Sequence, residues 1–206
     1  MPPEGHHLSV STPTPRLQVQ EDLLQRATRG DTAAIGALLK QLAPGMIRAA
    51  RSLMGTTHAD TDDVVQQSLI GLVQALPAFR GECSISHFAS RIVTRTALAA
   101  RRRNGIRSDR RDEEVEPDSF AVEPSQAEAL EAERRRHAVR SLMEQLPEEQ
   151  AETLALRVVL GFSLDEVAQT TGVPLNTVRS RVRLAKASLK KRIEADPRLL
   201  SALEVE

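Results

Sequence analysis

The sequence predicts an all-α protein of two small helical domains joined by a flexible acidic linker. Two observations lead there. Apolar residues recur at three- and four-residue spacing with no strand-like alternation. Two such periodic stretches are separated by a proline-bearing run rich in acids and poor in large apolar side chains. Aromatics make up 2% of the 206 residues, with no Trp and no Tyr, so the core must come from Leu, Val, Ile and Ala, which favours helices. A chain of this length can form two helical units, each still able to bury a workable core.

The expected boundaries are a disordered tail at 1–18, a first domain at 19–103, a linker at 104–126, a second domain at 127–196 and a short tail at 197–206. The first tail carries Pro2, Pro3, Pro13 and Pro15 among Ser, Thr and His, too little apolar surface to offset chain ordering. His6 and His7 lack a third ligand nearby, so no metal site is expected. In the first domain Leu23, Leu24 and Ala27, then Ile35, Leu38, Leu39 and Leu42, then Val64, Val65, Leu69, Leu72, Val73 and Leu76 mark successive helical faces. Breaks are expected at Pro44-Gly45, at 55–62 and at 77–86, with Ser86 as the cap of a last helix that Asn104-Gly105 interrupts. The linker holds Pro117 and Pro124.

The second half begins near Gln126 and runs through Val139, Leu142 and Leu146, and Pro147 starts a helix that stops at Gly161. Ser163 can cap a short helix from Leu164 to Thr170, followed by Thr171-Gly172-Val173 and a longer helix starting near Pro174. The spacing matches a helix-turn-helix: Ala168 is small where two helices cross, Gly172 suits a left-handed turn, and Val178 can pack back on the first helix. On the second helix Leu175, Val178, Val182, Ala185 and Leu189 form one stripe, opposite Asn176, Thr177, Ser180 and Arg183. That polar side suits a major groove, with Arg able to pair guanine edges and Asn adenine, while Arg179, Lys186 and Lys190 suit phosphates. An antiparallel helix pair with a solvated basic face satisfies the same pattern.

The formal net charge is +0, from 28 Lys+Arg and 28 Asp+Glu, so overall charge names no partner. Its distribution does: bases collect at 101–111 and 179–192, acids at 112–133. The single cysteine, Cys83, excludes an internal disulfide and fits a reducing compartment. No apolar run is long enough to cross a bilayer and no signal peptide is visible, so a soluble, cytoplasmic protein without membrane insertion is expected. No Gly-rich phosphate loop accompanies it, and Cys83 lacks a His or Asp at recognised spacing; neither a catalytic residue nor a cofactor is expected.

From Leu146 to Arg192, the motifs Leu146-Pro147-Glu148-Glu149-Gln150, Gly161 and Thr177-Val178-Arg179-Ser180-Arg181 occur in order. This run resembles region 4, the minus-thirty-five-binding domain of extracytoplasmic-function (ECF) sigma factors. Asn176, Thr177, Arg179, Ser180, Arg183 and Lys186 are its expected DNA contacts. The stretch from Ala59 to Arg103 resembles the same family's region 2, which binds polymerase and opens the minus-ten element. The resemblance implies that Asp62, Asp63, Val65 and Gln66 dock the clamp coiled coil of the polymerase largest subunit. It likewise implies that Arg80, Glu82, Cys83, Ser84, His87, Phe88, Arg91 and Arg95 meet the unwound minus-ten strand, with Arg101 to Arg103 adding phosphate contacts. The acidic linker stands where other sigma factors carry region 3, in keeping with the ECF pattern.

The chain departs from the family in places. Phe88 is the aromatic of the melting helix, with Ala89 and Ser90 as small neighbours, Arg95 stands where Asn is usual, and Leu184 where a basic residue is frequent. Stacking platforms are therefore sparse, and selective melting is expected. Core RNA polymerase, promoter DNA and an anti-sigma factor are the implied partners. A free-standing DNA-binding regulator, with the first bundle as a dimeriser, and a degenerate sigma factor that titrates an anti-sigma factor are the competing readings.

Overall fold

The computed structural model describes residues 15–55, 60–108, 138–139 and 141–196, with the backbone alone at 15–20 and 104–108. His6, His7, the linker acids and the 197–206 tail lie outside the described residues. The described secondary structure is helical throughout.

The first unit is built from α1 (Pro15–Thr28), α2 (Thr32–Met54), α3 (Thr61–Ala75) and α4 (Ile85–Ser108), with one 3-10 turn at Leu76–Ala78. α1 starts inside the stretch expected to be disordered. Proline is well suited to a first helical turn, where its fixed φ is already helical and its missing N–H has no partner to lose. Asp31 starts α2: its Oδ1 accepts from the Ala33 and Ala34 N–H groups at 2.9 and 3.1 Å. The Arg26 guanidinium holds its other oxygen, and these bonds keep the Asp31 carboxyl below the ordinary range.

The expected break at Pro44-Gly45 is absent, because α2 runs through Pro44. An interior proline costs roughly 3 kcal/mol, but α2 buries Leu38 and Leu42 before it and Met46, Ala49, Ala50, Leu53 and Met54 after it. Burial of that many apolar side chains, each contributing about 1 to 3 kcal/mol, outweighs the lost backbone bond. The break expected at Asn104-Gly105 is likewise absent, since α4 continues to Ser108. A single Gly lowers helix stability by about 1 kcal/mol, a penalty and not a stop. The cap of α4 is Ser84 and not Ser86: the Ser84 hydroxyl accepts from the His87 N–H at 3.1 Å.

α2, α3 and α4 enclose a core of Leu38, Met46, Met54, Leu72, Leu76 and Val93, all nearly inaccessible. α3 and α4 approach closely at Gly71, where a Cβ would meet Ile92 at 3.4 Å.

The second unit comprises α5 (Glu148–Leu154), a widened π turn at Ala155–Val159, α6 (Leu164–Thr171) and α7 (Leu175–Ala195). Pro147 precedes α5 as its cap instead of occupying its first position. The units are not separate in space. Leu98 of α4 packs into a cluster with Leu146, Ala151, Leu154 and Ala185, while Met143 and Ala155 join the core of the first unit.

Candidate nucleic-acid interface

The helix-turn-helix forms as its local sequence dictates. Ser163 Oγ accepts from the Glu166 N–H at 3.1 Å, and the Glu166 carboxylate accepts from the Ser163 N–H at 2.7 Å, closing a reciprocal capping box. The Ser163 backbone bond, its hydroxyl bond and nearby His87 together hold the Glu166 carboxyl below the ordinary range. Gly172 ends α6 in the left-handed region at φ 69, which lets its N–H reach the Ala168 carbonyl. Val178 is buried against Val167, Leu156 and Phe162, fixing α7 across α6.

This packing decides what α7 shows to solvent. Val178 and Ala185 are buried, and Val182 and Leu189 are half-buried. Asn176, Arg179, Arg183 and Lys186 are exposed, and Thr177 and Ser180 are half-buried between the two sides. Arg179 donates to the Asn176 side-chain oxygen at 3.3 Å, so these two are already paired along the exposed face. Arg181 leaves that face, pairing with Glu149 on α5. Leu184 is 48% exposed, an apolar side chain on an otherwise polar surface.

The eight residues expected at the minus-ten element fall on the loop before α4 and on its first turns. Arg80, Glu82 and Ser84 are exposed, Cys83, His87, Phe88 and Arg91 are half-buried, and Arg95 is exposed. Phe88 and Phe79 form a tilted ring pair against the core of the first unit. His87 stacks on Phe162 with ring centroids 4.2 Å apart, and its Nε2 lies 3.8 Å from Glu166. Burial pushes the Cys83 thiol up, an effect that Thr170 and Arg91 partly oppose.

The arginines of α4 are engaged by the second unit. Arg91 Nε donates to Glu152 at 2.8 Å and its Nη1 donates to the Thr170 carbonyl, at the end of α6, at 3.1 Å. Arg95 and Arg102 each lie 3.6 Å from Glu148, and Arg102 also donates to the Leu146 carbonyl at 3.2 Å. Arg101 is 8% exposed and pairs with Glu144 at 2.5 Å. Glu144 and Glu152 were not among the residues that sequence reasoning singled out, and Glu148 entered only as part of the Leu146–Gln150 motif. The Glu-rich opening of α5 reads in sequence as a favourable charge at a helix start, and nothing local announces a partner 61 residues away.

The residues expected to dock polymerase lie together on α3. Asp62 and Asp63 occupy its first turn and are exposed, as is Gln66, while Val65 is half-buried against the core. Acids at a helix start also favour the helix dipole, so Asp62 and Asp63 stabilise the first turn of α3 as well.

No helix among the described residues is long and apolar enough to cross a membrane.

Comparison with known proteins matches both units. The family model for Sigma-70 region 2 covers residues 38–106, and that for Sigma-70, region 4 covers residues 136–189. An ECF RNA polymerase sigma-E factor of Salmonella typhimurium is 30% identical over 181 residues, spanning 84% of this chain and 93% of the relative. The sigma-E factor of Escherichia coli K12 is 29% identical over the same length and shares. Among solved structures, CnrH in complex with the cytosolic domain of CnrY aligns with TM-score 0.50 at 24% identity, covering 85% of this chain and 97% of that one, a likeness of fold.

Proposed function

Because this chain belongs to the ECF group of the sigma-70 family, and is thus a sigma factor of promoter-specific transcription initiation, we propose a division of labour among its surfaces. The exposed face of α7, with Asn176, Thr177, Arg179, Ser180, Arg183 and Lys186, reads the minus-thirty-five element. The loop and first turns of α4, with Arg80, Glu82, Cys83, Ser84, His87, Phe88, Arg91 and Arg95, hold the unwound minus-ten strand. Asp62, Asp63, Val65 and Gln66 on α3 dock core RNA polymerase. Residues 19–103 act as region 2, 127–196 as region 4, and 104–126 as the spacer.

One observation carries this reading. The helix-turn-helix, locked by the Ser163–Glu166 capping box and Gly172, turns the apolar stripe of α7 inward and leaves its basic side exposed. Such a helix fits the major groove, where arginine and asparagine distinguish base edges. Melting requires no bond to be made or broken by this chain, so it acts without catalysis. Binding energy for the single-stranded form drives it, with guanidinium groups neutralising phosphates. The protein works in the bacterial cytoplasm, and an anti-sigma factor restrains it within a regulated stress or envelope response.

Purified chain added to core polymerase on a promoter library tests the whole assignment. Transcripts that start at a defined promoter class and require the chain are expected. Core-only initiation patterns in the presence of the chain would overturn it.

A further inference from the structure

The solvent side of α7 is divided lengthwise. At about 100° per residue, Arg179, Arg183, Lys186 and Lys190 fall along one edge, all of them exposed, while Thr177, Ser180 and Leu184 fall along the other. Arg181, the cation beside that second edge, turns away to Glu149 on α5 and leaves the edge uncharged from Thr177 to Leu184. Leu184 is 48% exposed there, because its neighbour Ala185 is fully buried and fixes the rotation of the helix. Its side chain has no hydrogen-bonding atom, so it can neither neutralise a phosphate nor bond a base edge; what it offers is apolar area. Among the major-groove edges of the base pairs, the C5 methyl of thymine is the apolar group. Set against any other base, the same leucine would cover polar atoms and leave them unpaired.

We propose that Leu184 is a specificity-determining residue of this chain: it packs on the C5 methyl of a thymine in the minus-thirty-five element and selects thymine at that base pair. The inference rests on the assignment of α7 to that element given above. Leu184 lies two turns beyond Asn176, about 12 Å along the helix axis, so it reads a different base pair from the one within reach of Asn176. The two edges then do different work. The cations meet phosphates and guanine edges, and their contribution weakens with salt. The leucine adds a contact without charge, which discriminates between bases and leaves the salt slope of binding as it is.

The test uses holoenzyme reconstituted from core polymerase and the full chain, as wild type or Leu184→Ala, a substitution that keeps the helix because alanine is its best former. The probes are promoter duplexes randomised across the minus-thirty-five element and amplified with either thymidine or deoxyuridine triphosphate, so that the two libraries differ by the C5 methyl alone. Sequencing the bound fraction gives the base preference at each position. Wild type should favour thymine at one or two adjacent positions, and that preference should fall about three- to fivefold in the uridine library, the loss expected for one buried methyl. Leu184→Ala should show the weakened preference in both libraries and unchanged preferences at the other positions. Wild-type preferences that are the same in the two libraries overturn the proposal. So does a Leu184→Ala holoenzyme that keeps the full methyl dependence, which would make the Thr177 methyl the reader. Arg183→Ala in the thymine library judges the parent assignment separately. If it shifts base preference while the methyl has no effect, α7 still reads the element and Leu184 does not; if wild type shows no preference anywhere in the element, both fall.

Discussion

The rings of Phe79 and Phe88 lie 5.0 Å apart at an interplanar angle of 54°. This tilted geometry suits the ring quadrupoles, and both rings rest half-buried against the core of the first unit. Phe88 therefore has structural work to do besides any stacking on a base. Phe88→Ala should cost about 2 kcal/mol, below the range for a fully buried ring, and should lower the melting temperature. Phe88→Leu should recover most of that stability yet still reduce permanganate reactivity in the promoter bubble. Full reactivity with leucine would show that the ring serves packing only.

The capping box makes a second, local prediction. Ser163→Ala removes the hydroxyl that accepts from the Glu166 N–H and should cost about 1 kcal/mol, weakening minus-thirty-five binding without altering its base preference. The pH dependence has a definite sign. Glu166 titrates below the ordinary glutamate value in the folded chain, so its contribution is complete above that ordinary value. It is lost as pH falls through the depressed one. Melting curves between mildly acidic and strongly acidic buffer should show a loss in wild type that is smaller in Glu166→Gln.

On α7 the proposed roles of neighbouring cations separate. Arg183→Ala should relax preference at particular upstream base pairs by about 1 to 3 kcal/mol, whereas Lys186→Ala should weaken all sequences alike and reduce the salt slope by about one unit. Polymerase-dependent binding to a library of upstream variants at two salt concentrations distinguishes them. Identical base preferences in wild type and Arg183→Ala would reject the assignment of that face.

Asp63→Arg reverses an exposed charge on α3 without touching its apolar side, and should weaken core-polymerase binding about tenfold. Its first-turn position adds a penalty of about 0.3 to 1 kcal/mol to helix stability. Asp63→Lys in a chain whose melting temperature is measured alongside keeps the two effects apart: affinity should fall far more than stability.

The helix-turn-helix was legible in the sequence because every signal in it is local. Ser163 and Glu166 are three residues apart, Gly172 marks its own backbone conformation, and the stripe from Val178 to Ala185 follows one helical period. Pro44 and Asn104-Gly105 misled for the opposite reason. Their local penalties were read correctly in sign, but tertiary burial along α2 offsets the first, and the second is too small to end a helix already anchored by Val93, Ala97 and Leu98. The seam between the two units was invisible, because it pairs α4 with residues far along the chain and uses acids whose local role at a helix start is explanation enough.

Cys83, the one cysteine of the chain, lies half-buried at this seam, and burial keeps its thiol protonated to higher pH. Since the thiolate is the reactive species, alkylation at neutral pH should be slow. A single thiol thus reports on the packing around the loop before α4. Maleimide labelling needs no engineered probe, modifies one position only, and gives a rate that should rise when that packing loosens, with or without polymerase in the tube.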